Sequence, residues 1–356
     1  MNKKNILIST LNWGLGHATR SIPIIRELTT CSNYTVFLAA DGEAYNLLSK
    51  EFPSLQIFLL SDIKIKYLKG KLLPIGLFFK GISLNRINKI EHKEVNDLVE
   101  KYKIDLIISD NRYGVWNPNT KNILITHQLT IFPPKIFSFT KPFFDKIIRK
   151  KIAHFDEVWI PDYAEFPGLA GKLSHVDNQH HNCTFIGPKS RYSLKNQNTE
   201  GGIVCIVSGP MPFREQLLDL IIEKCTEFNL NITIYSSFDI AVHNQNPLIN
   251  IRLNATFEEI NCALNSAEII ICSGGYTTIM DLMVLRKKAI IIPTPGQSEQ
   301  EYLALLYCSN PQFLFTDYSK LHLLPKYIQE LKNRKLELPI QQKAQSILSK
   351  VHAILQ

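Results

Sequence analysis

The fold is decided near the amino terminus by residues 6–20, which read ILISTLNWGLGHATR. The apolar run rich in Ile and Leu predicts a buried strand of a parallel sheet. Gly14 and Gly16 predict a tight loop after this strand, and a helical pattern follows the loop. A strand, a glycine loop and a helix N-terminus present free backbone N–H groups, which favours an anion-binding site at this point.

The helix after this loop carries Ile22, Ile25 and Leu28 at the spacing of one helix face. Because Pro is tolerated in the first turn of a helix, Pro23 predicts that the regular helix begins close to it. His17 would then lie just ahead of the helix, at the carboxyl edge of the predicted sheet. The loop lacks the third glycine of a dinucleotide site, and its histidine favours a place where a base takes part in chemistry.

The composition limits the class of protein and its partners. The chain has 356 residues, which favours two domains over one, and its 45% hydrophobic content is typical of globular proteins. The 40 basic and 32 acidic residues give a net charge of +8, which suits an anionic ligand or an anionic membrane surface. Zinc-finger spacings and aromatic RNA-binding signatures are missing from the sequence, so we expect no nucleic-acid partner.

The cysteines and the hydropathy pattern favour a cytoplasmic protein. The chain has seven cysteines, an odd number with no CxxC pair, which is typical of reduced thiols rather than of a disulfide framework. The first apolar run, of about six residues, is too short for the core of a signal peptide. No run approaches the ~20 apolar residues of a membrane-spanning helix.

Strand-like runs alternate with helical patterns through both halves of the chain. The predicted strands lie at 6–9, 34–39, 55–60, 106–109, 123–126 and 157–160, and then at 203–208, 232–235, 249–253, 269–272 and 289–293. The predicted helices lie at 20–29, 43–48, 84–101, 143–153, 213–227, 257–267, 277–285, 300–306 and 340–355. This alternation predicts an α/β protein with two doubly wound, Rossmann-like domains. We expect them at 1–186 and 187–339, with a last helix in 340–356 that packs on either domain, the first being one candidate.

Two glycine–helix junctions in the second half repeat the pattern of the first loop. Ser208 and Gly209 follow a predicted strand and precede a helix, which predicts an anion site, although a plain tight turn explains them equally well. Gly274 and Gly275 form the second junction, between a strand and a helix. Such junctions suit the phosphates of a nucleotide.

The helix after the second junction carries Thr277, Thr278 and Asp281. Hydroxyl and N–H groups in the first turn would bind phosphate oxygens, and Asp281, one turn further, could accept both hydroxyls of a ribose. The alternative is that the threonines cap the helix and that Asp281 complements its dipole.

A polar cluster opens the following helix. It consists of Gln297, Glu299, Gln300 and Glu301. Amides and carboxylates suit sugar hydroxyls, because each hydroxyl both donates and accepts hydrogen bonds. A solvated helix start is the alternative.

These junctions together resemble the peptidoglycan N-acetylglucosaminyltransferase family, whose members add N-acetylglucosamine to a lipid-linked muramoyl pentapeptide, and related bacterial glycosyltransferases. The resemblance covers nearly the whole chain and is strongest at residues 5–20 and 269–302. It implies the GT-B fold, in which two Rossmann-like domains face each other across a cleft. The first domain would bind the acceptor and the second a UDP-sugar donor.

The resemblance also implies roles for single residues of the second domain. Asp281 matches the family's ribose-binding acid in the pattern Gly-Ala-(Leu or Thr)-Thr-x-x-Glu, which reads GYTTIMD here. Arg191 matches the family's diphosphate-binding arginine, and Phe257 lies where the helix facing uracil begins. Gln300 and Glu301 correspond to the first two residues of the sugar-contacting Gln-Gln-Tyr, so an acid replaces one amide.

In the first domain the resemblance concerns the acceptor side. The family's loop Gly-Gly-Thr-Gly-Gly-His reads NWGLGH here, so Gly16 and His17 match the family pattern, whereas Gly14 stands in place of its threonine. We expect Gly14 and Gly16 on the acceptor side. Plant sugar transferases of similar architecture orient a histidine after the first strand with an aspartate.

By that likeness His17 would be a general base and Asp110, at the end of a predicted strand, its orienting carboxylate. A loop cap is the alternative for Asp110. His127 and Gln128 look like the family's acceptor-facing His-Glu pair, although His127 could also be a core histidine.

Two segments of the first domain, residues 64–80 and 133–151, combine Lys and Arg with Phe, Leu and Ile. Such segments favour peripheral binding to an anionic membrane surface, and with it a lipid-linked acceptor. The alternative is core residues with solvated lysine tips. Membrane binding would place the protein on the inner face of the cell membrane.

The sequence thus predicts an inverting glycosyltransferase that moves a sugar, with N-acetylglucosamine as one candidate, from a UDP-sugar to the hydroxyl of an acceptor glycan or glycolipid in cell-envelope synthesis. We expect no cofactor beyond the co-substrate and no metal, since an Asp-x-Asp motif is missing and the histidines at 175, 180 and 181 lie in a polar loop. Two alternatives stay open: an enzyme like UDP-N-acetylglucosamine 2-epimerase, and a nucleotide-sugar-binding protein without catalysis.

Overall fold

The structure is a computed structural model of the chain. It describes residues 3–12, 15–61, 73–133, 135–176, 182–195, 202–209, 212–236, 246–336 and 346–356, with side chains in the segments that begin at 73 and 135 described from residues 86 and 138 onward. Gly14 and the whole of the segment 64–80 therefore lie outside the residues whose side chains are described.

The chain divides into two compact units. Unit 1 consists of Met1–Arg191 together with Gln342–Gln356, and unit 2 of Tyr192–Gln341. The division falls between Arg191 and Tyr192, a few residues after the expected position at Gly187. The end of the chain belongs to unit 1.

Unit 1 is built on a seven-stranded sheet in the order β3-β2-β1-β4-β5-β6-β7, with all its pairs parallel. Its elements are β1 (Lys4–Thr10), α1 (Gly16–Thr29), β2 (Tyr34–Ala40), α2 (Gly42–Glu51), β3 (Ile57–Leu59), α3 (Leu73–Tyr102), β4 (Leu106–Asp110), β5 (Lys121–Ile125), α4 (Lys141–Ile152), β6 (Glu157–Ile160) and β7 (Cys183–Phe185). Short 3-10 helices occupy Lys135–Thr140 and Gly171–Leu173.

Unit 2 has a six-stranded parallel sheet in the order β10-β9-β8-β11-β12-β13. Its elements are β8 (Ile203–Ile206), α5 (Phe213–Glu227), β9 (Ile232–Ser236), β10 (Ile249–Leu253), α6 (Phe257–Ser266), β11 (Ile269–Ser273), α7 (Tyr276–Leu285), β12 (Ala289–Ile292), α8 (Ser298–Leu306), β13 (Phe313–Phe315) and α9 (Leu324–Asn333). The last helix, α10 (Ile347–Leu355), returns to unit 1. The α/β fold with two doubly wound domains is thus confirmed.

The central strands of unit 1 are apolar on both faces because helices cover both sides of the sheet. Ile6 and Ile8 of β1 are buried in the cluster that contains the apolar face of α1. Leu7, which points to the other face, is buried with Val95 and Val99 of α3. This packing explains why β1 reads as a continuous apolar run rather than an alternating one.

The helix α1 corrects one expectation from the sequence. It begins at Gly16, so Pro23 lies in its interior and His17 in its first turn. An interior proline removes one backbone hydrogen bond and costs about 3 kcal/mol in an isolated helix. Here Arg20, Ile22 and Ile25 are all buried, and these tertiary contacts outweigh the local cost.

The sequence patterns missed β7, β13 and α9. The two strands have only three residues each and end their sheets, so neither is long enough to display a period of two. The last helix begins at Ile347, after its N-cap Ser346, and is therefore shorter than the helix predicted at 340–355. Within the described parts of the chain, no helix combines the length and the apolarity needed to cross a bilayer.

Candidate active site

In both sheets the strand order reverses at a point where polar residues follow the strands. In unit 1 the chain leaves β1 towards β2 on one side and β4 towards β5 on the other, so the switch point lies between β1 and β4. Open α/β sheets bind ligands at the carboxyl ends of the strands at such points. His17 follows β1, and Asp110 is the last residue of β4, so both lie at this edge.

The structure brings His17 and Asp110 together. Nδ1 of His17 lies 2.8 Å from Oδ1 of Asp110. The Asp110 side chain is fully buried, and 13% of the His17 side chain is exposed. A buried carboxylate thus contacts one ring nitrogen, and a small part of the imidazole remains accessible to solvent.

Arg20, which sequence reasoning missed, lies at the centre of this site. It is 1% exposed, and its Nε donates a hydrogen bond of 2.7 Å to Oδ2 of Asp110. Its Nη2 contacts Oδ1 of Asp110 and lies 2.9 Å from Nδ1 of His17. Its Nη1 lies 3.0 Å from Nδ1 of His127. The available signal was the spacing of His17 and Arg20, which puts both on one face of a helix.

The charges of this cluster set the protonation of its members. Burial opposes the ionisation of Asp110, but the charges and hydrogen bonds of Arg20 and His17 outweigh it and lower the pKa of Asp110 to about 2. Burial, and next the positive charge of Arg20, lower the pKa of His17 below its usual 6.5. His17 is therefore a neutral imidazole at neutral pH, which is the form that accepts a proton.

The remaining acceptor-side residues lie around this cluster. His127 follows β5 and is 5% exposed, so it is a buried histidine that also contacts the guanidinium of Arg20. Gln128 donates its backbone N–H to Oγ1 of Thr126 at 3.1 Å. Gly16 opens α1, and its carbonyl accepts a hydrogen bond of 3.0 Å from Oγ1 of Thr19.

A second buried charge cluster supports the same edge of the sheet. Arg112 donates hydrogen bonds from Nη1 to Asp41 at 2.7 Å and from Nη2 to Glu91 at 2.7 Å, with all three side chains no more than 1% exposed. Its Nη1 also donates to the carbonyl of Thr10 at 3.3 Å. Arg112 thereby joins α3 to the ends of β1 and β2. Burial raises the pKa of Glu91, although the charge of Arg112 opposes this shift.

In unit 2 the switch point lies between β8 and β11. The backbone N–H of Ser208 donates to Oγ of Ser273 at 3.2 Å, and this hydroxyl donates back to the carbonyl of Ser208 at 2.8 Å. These hydrogen bonds join the loop that follows β8 to the last residue of β11. Gly209 then adopts a φ of +119°, which L-residues rarely adopt.

The two glycines after β11 differ in their surroundings. A Cβ at Gly274 would lie 3.2 Å from Cα of Pro293, so a side chain there would displace the backbone after β12 by a few tenths of an ångström. Among the described residues, a Cβ at Gly275 would meet only Oγ1 of Thr278, at 3.8 Å. The described part of the chain thus leaves room beside Gly275 at the start of α7, and a helix N-terminus favours an anion.

Thr277, Thr278 and Asp281 are half-buried residues of α7. Burial, and next the negative charge of Asp281, raise the pKa of the Cys272 thiol in β11. The structure therefore groups the two threonines, the acid and the glycines at one edge of the sheet.

Gln300 has a local role in the structure. It is 8% exposed, and its Oε1 accepts a hydrogen bond of 2.7 Å from the backbone N–H of Thr294. Its Nε2 donates to Oε1 of Gln297 at 3.1 Å. These bonds hold the loop between β12 and α8, whereas Glu299 is half-buried and Glu301 exposed.

Phe257, the first residue of α6, stacks on Tyr192 with ring centres 5.7 Å apart and planes 10° apart. Tyr192 opens unit 2, directly after Arg191, the last residue of the first segment of unit 1.

Among the described residues no group of three His, Cys, Asp or Glu side chains is arranged to hold a metal ion. His175 packs against Phe185 with ring centres 4.8 Å apart.

Comparison with known proteins identifies the class of enzyme. Residues 228–356 match the model of the glycosyltransferase family 28 C-terminal domain. An uncharacterized glycosyltransferase of Methanosarcina acetivorans is 23% identical over 316 residues, which span 83% of this chain and 81% of the relative.

Solved structures share the fold over nearly the whole chain. MurG of Acinetobacter baumannii superposes with a TM-score of 0.57 at 14% identity and 99% coverage of both chains. The spinosyn rhamnosyltransferase SpnG, in complex with thymidine diphosphate, gives 0.61 at 12% identity over 92% of this chain and 91% of its own. The protein is therefore a glycosyltransferase with two Rossmann-like domains like those of GT-B structures, and its carboxyl-terminal part is similar to the family 28 glycosyltransferase domain.

Proposed function

We propose that the protein is an inverting, metal-independent glycosyltransferase in which His17 is the general base. The observation that carries this proposal is the buried contact between His17 and Asp110 at the switch point of unit 1. A neutral imidazole whose Nδ1 donates to a carboxylate has its lone pair on Nε2, which is the arrangement that a base needs.

The proposed reaction is a single displacement. Nε2 of His17 takes the proton of an acceptor hydroxyl, and the oxygen attacks the anomeric carbon of the donor sugar. The bond from that carbon to the diphosphate oxygen breaks as the new bond forms, so the anomeric configuration inverts. The charge of the leaving diphosphate would be stabilised by the N-termini of α5 and α7 and by Arg191.

The donor we propose for unit 2 is a UDP-sugar. The room beside Gly275 and the carboxylate of Asp281 on α7 support binding of the diphosphate and ribose, and Phe257 would face the base. Glu299 and Glu301 would contact the sugar, with N-acetylglucosamine as one candidate. Since Gln300 holds the loop before α8, we propose that it supports the sugar site from behind.

We further propose a lipid-linked acceptor and peripheral membrane binding, in cell-envelope glycan synthesis on the inner face of the cell membrane. The helix α4 supports this idea: Phe143 is 58% exposed, and Phe139, just before the helix, is 77% exposed. Lys146, Arg149 and Lys150 are exposed on the same helix. Aromatic rings flanked by basic residues suit an anionic lipid surface.

The experiment that tests the proposed function measures nucleotide release from UDP-sugars and dTDP-sugars, with and without lipid-linked and soluble saccharide acceptors. We expect UDP release that depends on an acceptor, persists in EDTA and yields a product of inverted configuration by NMR. Epimerisation of the donor without acceptor would instead support the epimerase alternative. Binding of UDP-sugar without turnover under any acceptor would contradict an enzymatic role for His17.

A further inference from the structure

The guanidinium of Arg20 joins three elements of unit 1 at one point. It extends from α1 and contacts Asp110 at the end of β4, His17 in the first turn of α1 and His127 after β5. Neither the predicted base nor its predicted carboxylate requires such a partner. Because two imidazoles and one carboxylate surround a single buried cation, its contacts bear on which ring nitrogen of each histidine carries the proton.

The contact with Arg20 determines where His127 carries its proton. Arginine has only N–H groups and cannot accept a hydrogen bond. Nδ1 of His127, 3.0 Å from Nη1 of Arg20, must therefore accept, and the proton of the neutral ring lies on Nε2. Protonation of Nδ1 would turn this contact into a repulsion between two cations.

The same cation acts differently on His17. Nδ1 of His17 lies 2.8 Å from the Asp110 carboxylate and 2.9 Å from Nη2 of Arg20. If Nδ1 donates to Asp110, Nε2 is free to take a proton, whereas if Nδ1 accepts from Arg20, Nε2 already carries one. The ionised carboxylate favours the first form.

Arg20 contacts both oxygens of the Asp110 carboxylate and so compensates its charge. An uncompensated buried carboxylate beside His17 would favour the imidazolium, which cannot act as a base. With Arg20 present, the carboxylate orients the ring without causing its protonation.

We propose that Arg20 is a positioning residue that keeps His17 neutral while Asp110 holds the His17 proton on Nδ1, and that Arg20 holds His127 with its proton on Nε2. This inference rests on the proposed function, in which His17 is the base. It predicts that activity persists to lower pH than an ordinary histidine allows, because the rate falls only as pH falls through the lowered pKa of His17.

The charged and titratable groups that face His17 come from three places among the described residues. Arg20 lies on its own helix, Asp110 on β4 and His127 in the loop after β5, while Tyr113 lies near Arg20 and Asp110. The charges of Arg20 and His127 lower the pKa of His17, and that of Asp110 raises it. Removal of Arg20 should therefore raise the pKa of His17.

The first test needs no substrate. NMR of the protein with labelled histidines would follow the ring nitrogens of His17 and His127 through a pH titration, with assignments from His17→Gln and His127→Gln. In Arg20→Met we expect the midpoint of His17 to rise. A midpoint equal to that of the native protein would overturn the proposal.

Arg20→Lys is the second variant, because Arg20→Met leaves Asp110 buried without its main partner and can impair folding. A lysine keeps the positive charge but cannot contact all three groups at once. We expect the midpoint of His17 to stay near the native value while His127 becomes a mixture of both neutral forms. His127 remaining wholly in the Nε2–H form would overturn the second part of the proposal.

The kinetic test separates positioning from mere stability. Arg20→Met should lower kcat/KM about tenfold more at about pH 5.5 than at about pH 8, because an adjacent charge alters a pKa by about 1–3 units. Arg26→Met is the matched control, since Arg26 lies on the same helix and pairs with Glu51 at the surface.

An equal loss at every pH with an unchanged His17 titration would make Arg20 a purely structural residue and overturn the proposal. If the native protein transfers no sugar from any nucleotide donor, the proposed function fails. The NMR titration then still decides what Arg20 does to the two histidines.

Discussion

Buried charges at the ends of β1, β2 and β4 distinguish the residues of this site from ordinary core. Arg20 pairs with Asp110, and Arg112 pairs with Asp41 and Glu91, all of them nearly or fully inaccessible to solvent. A buried pair of this kind gains little net stability, but removal of one partner costs about 3–5 kcal/mol. Their value here lies in fixed positions for the groups around His17.

Replacement of His17 by glutamine tests the base. We expect kcat/KM to fall by about 10²–10⁴-fold, which is the usual contribution of a positioned base, with UDP affinity unchanged because the proposed nucleotide site lies in unit 2. The measurements are UDP release under saturating acceptor and calorimetry with UDP. His322→Gln, an exposed histidine of unit 2, is the control. A His17→Gln enzyme with native rates would exclude His17 as the base.

Replacement of Asp281 by alanine tests the ribose site. A buried ribose that loses its acceptor should bind more weakly by about 1–3 kcal/mol, or about 5- to 150-fold in Kd. Calorimetry with UDP measures the change, and Asp219→Ala, an exposed acid on α5, is the control. Equal UDP affinity in the Asp281→Ala and native proteins would remove the ribose assignment.

At the scale of elements, α4 presents two different faces. Ile148 and Ile152 are buried inside unit 1, whereas Phe143 and Arg149 are exposed. Lys151 is not a freely solvated lysine of the basic segment, since its Nζ lies 5.4 Å from the centre of the Tyr113 ring. Burial also lowers the pKa of Lys151. The proposed membrane-facing role would therefore depend on the other basic residues of the helix.

Vesicle binding tests this face of α4. The combined change of Lys146, Arg149 and Lys150 to Gln should weaken binding to anionic vesicles at low salt, by about 1 kcal/mol per charge. High salt should mimic this change, because screening acts beyond ~8 Å at physiological ionic strength. Phe143→Ser should weaken binding at every salt concentration, since its contribution is apolar. Flotation with phosphatidylserine vesicles measures both effects.

The control for vesicle binding removes the same charge elsewhere. Lys320, Lys326 and Lys332 are exposed in unit 2, and their combined change to Gln should leave flotation unchanged. Equal losses in both triple variants would indicate a response to net charge alone. Lack of flotation of the native protein in low salt would contradict the membrane proposal and favour a soluble acceptor.

At the scale of the whole molecule, the chain begins and ends in unit 1. Ile347 and Val351 of α10 are fully buried in the core that contains α1. Glu27 of α1 accepts hydrogen bonds from Oγ of Ser346 at 2.7 Å and from the backbone N–H of Leu348 at 2.9 Å. The last helix thus completes the core behind the helix that carries His17 and Arg20.

Ile347→Ala tests the contribution of the last helix to unit 1. A cavity in this core should lower the free energy of unfolding by about 2–5 kcal/mol. All three tryptophans of the chain precede residue 192, so their fluorescence in a urea titration reports on unit 1. UDP affinity should stay native, and His352→Ala, exposed on the same helix, is the control. Equal urea midpoints for the Ile347→Ala and His352→Ala proteins would show that α10 adds no stability to this unit.

The sequence by itself determined the fold class, because this depends on local patterns, and the resemblance of its motifs to those of a known family indicated the class of enzyme. Apolar runs that alternate with helical spacing specify parallel strands and crossover helices, and the carboxyl ends of such strands share one edge. Hence Asp110 could be expected near His17, and Asp281 near the glycines at 274 and 275. The sequence patterns missed the strands Cys183–Phe185 and Phe313–Phe315, because three residues are too few to show an alternating pattern.

Only the tertiary structure decided what surrounds these residues. Pro23 lies inside α1 because buried contacts outweigh its local cost, and no local pattern contains those contacts. Arg20 reads as a surface residue of a helix, yet it is buried because Asp110, 90 positions away, and His127 meet it at the sheet edge. Local spacing encodes which face of an element is apolar, whereas the partner of a buried charge depends on which strand ends lie side by side.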